Sequence, residues 1–286
     1  MGEKDYQRIT VKPIAGALGA EIEGADLKGR LDNATMDEIH RAFLEFSVIF
    51  LRGQKLDPDE QLAFARRFGP IDRHPIAKGM DDHPDVVKIV REPGERLNFG
   101  RMWHMDGTFI ETPPLATMLV AQQVPPYGSD TMWSSMYLAY DALSDGLKAM
   151  LRSMRAYHSS GSPGRFEANY KGMKARSDSV AGECAHPVVR THPETGRKCL
   201  FLNNSFTTRF EDMTVEESRP LLDYLFRHCV RPEFTCQFRW TEGTLALWDN
   251  RCTQHEAISD YFPHRPELFN ARRIMHRVTI AGDRPI

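Results

Sequence analysis

The chain has 286 residues, 41% of them hydrophobic and 27% charged, with 37 Lys and Arg against 39 Asp and Glu for a formal net charge of -2. That length supports one large domain or two small ones, each able to bury a core, and the near-balanced charge gives no support to nucleic acid or an anionic membrane as the partner. Five cysteines (Cys184, Cys199, Cys229, Cys236, Cys252) form no CxxC pair, so they read as reduced thiols rather than a disulfide frame or a zinc site.

The strongly apolar runs at 47–51 and 117–121 fall short of the roughly 20 residues a membrane helix needs. The charged stretch 1–8 has no apolar core behind it, so no signal peptide is expected and the cytoplasm is the expected location. Residues 9–22 are apolar and Gly-punctuated, which suits early strands. Residues 36–46 carry helical spacing (Ile39, Ala42, Phe43, Phe46), followed by a strand-like 47–52. Asp57-Pro58-Asp59-Glu60 opens a helix running to about residue 68, with a cap, Pro at N1 and Glu at N3. Strands are expected at 86–91, 116–124 and 131–134, and a helix at 137–151. A hairpin is expected from 186–191 and 197–203 around a polar turn. Thr214 and Glu217 form a capping box for a helix to about 229. Late strands are expected at 234–240, 244–248 and 272–280. Short strands interrupted by three or four helices imply an antiparallel sandwich or barrel, mainly β with helices outside. No linker divides the chain, so 1–286 reads as a single domain.

The chemistry starts at His104-Met105-Asp106. On a strand, positions i and i+2 share a face, so both side chains would reach one metal, and imidazole with carboxylate suits iron(II). Two other motifs of that spacing, His83-Pro84-Asp85 and His192-Pro193-Glu194, carry a central Pro in expected turns and read as structural. The alternative for His104 and Asp106 is a satisfied core pair. A third ligand must come from elsewhere. His255 stands out because residues 248–255 leave a clear strand for a polar loop, although a lone loop histidine taken by itself is more often a solvent-facing or capping residue. Together the three would make a two-His, one-carboxylate triad with open metal positions. In the stretch 273–277, Arg273 and Arg277 share one strand face about 13 Å apart. Buried arginines are strong carboxylate or sulfonate receptors; the alternative is a solvated edge strand.

These motifs resemble the taurine dioxygenase and 2,4-dichlorophenoxyacetate dioxygenase family of iron(II)- and 2-oxoglutarate-dependent oxygenases. The matching text is WHMDGTF at 103–109, IETPP at 110–114, DTMW at 130–133 and HPVVRTHPETG at 186–196. It continues with FTTR at 206–209, WDNRCTQH at 248–255, Asp260-Tyr261, RIMHRVTI at 273–280 and Gly282-Asp283. The resemblance implies a double-stranded β-helix, a cupin-like jelly roll with flanking helices, and oxygenation of a small organic anion with iron(II), 2-oxoglutarate and O2. It implies that His104, Asp106 and His255 bind iron(II), and that Arg273 and Thr131 hold the distal carboxylate of 2-oxoglutarate. Arg277, His74 and Phe206 match residues that meet the primary substrate. Members of the family are often homodimers or tetramers. A mobile lid is expected around 159–185, including the basic stretch 171–176.

Taurine-specific members carry Tyr, Asn and Phe where alignment places Ala77, Gly100 and Ser160. The implied pocket is therefore wider and suits an aryloxyalkanoate, an alkyl sulfate ester or a bulkier sulfonate. The same cofactors would also serve desaturation or another oxidation in natural-product biosynthesis. A zinc hydrolase would leave Thr131 and Arg273 unexplained, and a non-catalytic binding jelly roll would be expected to lack a ligand, whereas none is missing.

Overall fold

A computed structural model describes residues 6–29, 31–161 and 182–286. The strands in chain order are β1 (Thr10–Pro13), β2 (Ala20–Glu23), β3 (Val48–Leu51), β4 (Ile71–Asp72), β5 (Val87–Arg91), β6 (Ala116–Gln123), β7 (Thr131–Ser135) and β8 (Arg155–Ser159). Then follow β9 (Glu183–Pro187), β10 (Val189–Thr191), β11 (Lys198–Leu200), β12 (Thr207–Phe210), β13 (Thr235–Phe238), β14 (Leu245–Asp249), β15 (Thr253–Ala257) and β16 (Arg273–Ile280). The helices among the described residues are α1 (Asn33–Phe46), α2 (Pro58–Ala65), α3 (Met136–Asp141), α4 (Asp145–Leu151), α5 (Val215–Cys229) and α6 (Pro266–Phe269).

The largest sheet runs β1-β2-β3-β14-β6-β16-β4, with β5 also on β16. A smaller antiparallel sheet, β13-β7-β15, faces it. Strand alternation divides the large sheet into two faces. Met118 and Val120 of β6, Leu247 of β14 and Val278 of β16 pack with Ile39 and Phe43 of α1 and Leu62 of α2. Leu119, Ala121, Ala246, Trp248 and Met275 turn the other way and meet Trp133, Phe238 and Trp240. This second interface closes the jelly roll, and it sets Thr117, Arg273 and Arg277 on the inner face with Leu119 and Met275. A third cluster packs α3 on β11 and α5 on β12 and α3.

The expected capping boxes are present at Asp57 and at Thr214. The helix expected at 137–151 is instead two, because Ser144 caps a new helix at Leu147 N–H. The helix begun at Asp57 stops at Ala65 rather than near 68. His186 belongs to β9, and the hairpin proper is β10–β11. Most of the segment expected as a lid, 162–181 with its basic stretch, lies outside the described residues. Its described flanks pair with one another, Ser159 opposite Glu183.

Two buried histidines sit on those flanking strands, with ring centroids 5.5 Å apart. Burial pushes His158 down to about 3, with His186 adding to the effect. Burial also pushes His186 down to about 4, against a hydrogen bond from its Nε2–H to the Ile110 carbonyl. Both are neutral in the fold, whereas each takes up a proton near pH 6.5 when unfolded. Their contribution is therefore complete above about pH 6.5 and is lost as pH falls toward about 4, each at up to about 1.4 kcal/mol per pH unit. Urea unfolding across that window should show falling stability in the parent and a shallower slope in His158→Gln. Equal slopes would mean that His158 is not neutral in the folded protein.

Candidate active site

The site is assembled from three non-adjacent segments. His104 and His255 exchange both backbone hydrogen bonds, His104 N–H to His255 O at 3.0 Å and the reverse at 2.9 Å. Residue 104 is thereby fastened to β15, and the two imidazoles lie 4.1 Å apart. The segment 104–106 is a single bridge followed by a turn, not a full strand. Gly107 makes that turn possible: its φ is 63°, and a Cβ there would stand 2.8 Å from Pro114 Cδ. The turn brings the Asp106 carboxylate back between the rings, 3.5 Å from His104 Nε2 and 4.0 Å from His255 Nε2. One ligand atom from each residue falls within 4.8 Å of the others. His255 is not in a loop, as its polar surroundings suggested, but at the centre of β15.

The donor set fits a metal. His104 Nδ1 lies 2.7 Å from the Met102 carbonyl, so that nitrogen donates to the backbone and Nε2 is the ring atom turned toward Asp106, the arrangement metal-binding histidines adopt. Burial works against charge on Asp106, but Arg277 above all, with His255 and His104, holds the carboxyl well below its ordinary range. Burial pushes His255 well below the ordinary imidazole range, with His104 adding to the effect. An ionised carboxylate at Asp106 and a neutral imidazole at His255 are protonation states a divalent cation requires.

Two further side chains hold the carboxylate, and two more stand behind them. Arg277 Nη2 is 3.0 Å from Asp106 Oδ1. Thr117 donates its hydroxyl to Oδ2 at 2.7 Å. Asn250 Nδ2 donates to Thr117 Oγ1 at 2.9 Å, and Trp248 Nε1 donates to Asn250 Oδ1 at 3.0 Å. All four are buried.

Two cavities meet at the triad. One, of about 470 Å³, has Arg277, Asp106 and His104 at its inner end and His74, Phe206, Gly100 and Ser160 in its walls. The second reaches past His104 and His255 to Thr131 and Arg273. Arg277 and Gly100 border both cavities. Arg273 is buried, its Nε has no partner, and no carboxylate lies within ion-pair distance of it among the described residues. Burial lowers its pKa. A buried, unpaired guanidinium is costly, and this one borders a cavity where a ligand carboxylate would pair with it. Thr131 Oγ1 already accepts from Trp240 Nε1 at 3.0 Å, which leaves its own hydrogen for a further acceptor.

All eight sequence-predicted residues therefore gather around these two cavities. His74 has two roles: its Nδ1 accepts the N–H groups of Ile76 and Ala77 at 3.1 and 2.8 Å, capping the loop, while the ring borders the large cavity. Ala77 is not in the cavity wall. It packs in the core between the sheets, and Ile76 takes the wall position. Sequence reasoning missed Phe99, Phe109, Arg101 and Ile76, which also line the large cavity, and it missed the Thr117–Asn250 link. Phe99 and Phe109 flank the recognised motif closely enough to have been suspected; Thr117 sits in an apolar strand with no signal of its own.

The family described as taurine catabolism dioxygenase TauD, TfdA family matches residues 10–279. An alkylsulfatase from Acinetobacter baylyi is 34% identical over 97% of this chain and 86% of its own length. An alpha-ketoglutarate-dependent sulfate ester dioxygenase from Pseudomonas putida is 35% identical over 97% of this chain and 91% of its own. A crystal structure of a taurine dioxygenase from Burkholderia xenovorans superposes with a TM-score of 0.83 at 36% identity, covering 98% of this chain and 91% of that one. With sequence and fold agreeing over nearly its whole length, the chain belongs to the TauD/TfdA family of dioxygenases.

Proposed function

We propose that the protein hydroxylates an organic anion with an apolar body larger than taurine, and that alkyl sulfate esters are its preferred class. The reaction class follows from the family: it is an oxidoreductase, a 2-oxoglutarate-dependent dioxygenase that uses iron(II), 2-oxoglutarate and O2. The observation that carries the substrate reading is the large cavity. One buried guanidinium, Arg277, stands at its triad end, and Ile76, Phe99, Phe109 and Phe206 supply an apolar wall. Gly100 and Ser160 leave that wall open where a side chain would narrow it. Relatives named for alkyl sulfate and sulfate ester chemistry support the choice of anion. A second cation, Arg101, also lines this cavity, and Asp106 is the sole carboxylate in its lining among the described residues, so the cavity favours anions throughout.

In this reading His104, Asp106 and His255 hold iron(II), which when bound supplies the oxidising chemistry as 2-oxoglutarate and O2 give succinate and carbon dioxide. Arg273 and Thr131 grip the distal carboxylate of 2-oxoglutarate, and Arg277 with His74 holds the substrate's anionic head. Phe206 packs on the substrate body. Its ring centroid is 6.3 Å from that of His104 and 5.1 Å from that of Phe109, so it steers the tail past the metal. Charge clamps at both ends of the site fix two flexible anions in one orientation each. Hydroxylation of the carbon that bears a sulfate ester gives an unstable hemiacetal sulfate. Its C–O bond breaks to leave an aldehyde and sulfate. We further place the enzyme in the cytoplasm as a homodimer or homotetramer; five free thiols support the location, and no helix among the described residues is long and apolar enough to cross a membrane.

Anaerobic addition of iron(II) and 2-oxoglutarate should give the visible charge-transfer band of the chelate. On admitting oxygen, linear alkyl sulfates should drive succinate formation with matched sulfate release, and taurine should not. Coupled turnover of taurine at equal efficiency would remove the wide-cavity reading. At saturating iron(II), Arg277→Ala should raise the KM for alkyl sulfate with little change for 2-oxoglutarate, and Arg273→Ala should do the reverse. Each loss should be about 2 to 5 kcal/mol, the usual effect of truncating one partner of a buried ion pair. If both variants lose the same cosubstrate, the two-anion assignment is wrong.

Gly100→Ala tests how closely the cavity wall approaches the triad. Its Cβ would stand 3.1 Å from His104 Cε1, at a backbone φ of 77°. Pressure on the ring should weaken iron(II) binding by about 10-fold, the scale on which disturbing a ligand's orientation acts. Unchanged affinity would show that the loop yields instead.

A further inference from the structure

We propose that Thr117 is the positioning residue that holds Asp106 in its metal-binding orientation, and that Asn250 and Trp248 exist in this network to aim the Thr117 hydroxyl. The inference deepens the iron-site reading above and rests on it.

The direction of every bond in the chain is fixed. The indole N–H of Trp248 donates and has no acceptor role, so the Asn250 atom facing it at 3.0 Å is the carbonyl oxygen. The Asn250 amide nitrogen must then face Thr117, where it donates at 2.9 Å. Thr117 Oγ1 thus accepts from Asn250, and its single hydrogen remains for Asp106 Oδ2 at 2.7 Å. No tautomer or amide flip reverses this order without leaving the buried indole unsatisfied. The relay is also rigid at its base. Thr117 and Trp248 are directly paired across β6 and β14, and Asn250 N–H bonds to the Leu115 carbonyl at 2.9 Å. Thr117 is fully buried, so water does not take its place.

The division of labour at the carboxylate gives Thr117 its importance. Oδ1 is the oxygen held by Arg277 and lies nearer His104, while Oδ2 is the oxygen held by Thr117 and lies nearer His255. Arg277 is also the substrate anchor, and its Nε has no partner among the described residues. An arriving anion is therefore met by the unpartnered Nε of a guanidinium whose Nη2 already holds Asp106, and the two anions share one cation. Arg277 Nη2 lies 3.5 Å from Thr117 Oγ1, so the two holds on the carboxylate are neighbours. With Arg277 shared in this way, the Thr117 hydroxyl is the bond committed to the carboxylate alone, and it keeps the carboxylate from swinging off one imidazole toward the other.

The test compares parent, Thr117→Val, Thr117→Ala and Thr117→Ser. Calorimetric titration of metal-free protein with iron(II) under anaerobic 2-oxoglutarate should show affinity falling about 10- to 100-fold in the Val and Ala variants and within about threefold of the parent in Ser. With alkyl sulfate present, Val and Ala should release more succinate per substrate oxidised than the parent does. The Ser and Ala variants differ by a hydroxyl alone, so their contrast isolates the bond even if Val perturbs packing. Melting temperatures of the metal-free proteins separate a general loss of stability from a loss of metal. If Ala and Ser bind iron(II) alike, or if all variants lose only metal-free stability, the proposal is overturned. Failure of the parent itself to bind iron(II) would instead remove the underlying iron-site reading.

Discussion

The buried pair of Asp106 and Arg277 is the constraint around which the rest of the site is arranged. Two charges taken out of water repay their desolvation only when their geometry is good and their remaining hydrogen-bonding capacity is used. Here one carboxylate oxygen faces Arg277 at 3.0 Å and the other a hydroxyl at 2.7 Å. Removing either partner would leave an uncompensated charge against the apolar floor formed by Leu119, Met275 and Trp248. The pair therefore ties together a turn that follows no strand, the central strand β6 and the last strand β16. Its charge also accounts for the protonation states nearby: a cation beside the carboxylate holds it ionised, and burial holds His255 neutral.

Arg273 is the opposite case on the same strand. Arg273 and Arg277 lie on one face of β16, both buried, yet among the described residues only Arg277 has an ion-pair partner. Opposite Arg273 on β5 is Arg91, a second buried cation. Arg91 spends its guanidinium on the carbonyls of Glu95, Phe269 and Ala271 and stacks over Tyr261. Arg91 thus braces the loops around the cavity and is not available to a ligand, while Arg273 has no such ties among the described residues. Of the two cations buried in register, one is satisfied by carbonyls and the other borders the second cavity, which is what supports the proposed carboxylate grip by Arg273.

How much of this was legible in the sequence follows from the range of the interactions. Local signals read well: the Asp57 and Thr214 capping boxes, the continuous apolar run of β6, and the polar hairpin turn at Pro193–Gly196 are each set by residues within a few positions. His104, Asp106 and His255 were legible as motif text, but the geometry that brings them together was not. His255 looked like a loop residue because Thr-Gln-His-Glu carries no apolar alternation. Thr253, Gln254 and His255 are buried all the same, and Gln254 bonds to the Leu202 carbonyl and Thr253 to the Asp249 carbonyl, so hydrogen bonds satisfy the polar side chains of the strand. The Thr117 relay was illegible for a different reason: it exists only through the register of β6 against β14, which no single segment encodes. The break at Ser144 was missed because apolar spacing continues across it, and a serine cap interrupts a helix without disturbing that spacing.

The motif His192-Pro193-Glu194, set aside at first as structural, shows how a structural element serves chemistry. His192 Nε2 donates to Asp249 at 3.0 Å, Arg251 forks onto the same carboxylate, and Arg251 also meets Glu194 at 2.6 Å. Despite its burial, Asp249 is kept ionised, chiefly by Arg251. This network lies in the tight turn between β14 and β15, so it fixes the distance from Trp248 and Asn250, which aim Thr117, to His255, which completes the triad. Buried ion pairs contribute little net stability but impose one geometry. A turn that must deliver a hydrogen-bond relay on one strand and a metal ligand on the next needs that single geometry more than it needs stability. The same reasoning explains why a histidine, a carboxylate and a cysteine within ligand distance of one another here do not make a second metal centre. The carboxylate is already committed to Arg251 and His192, and burial keeps the Cys252 thiol protonated.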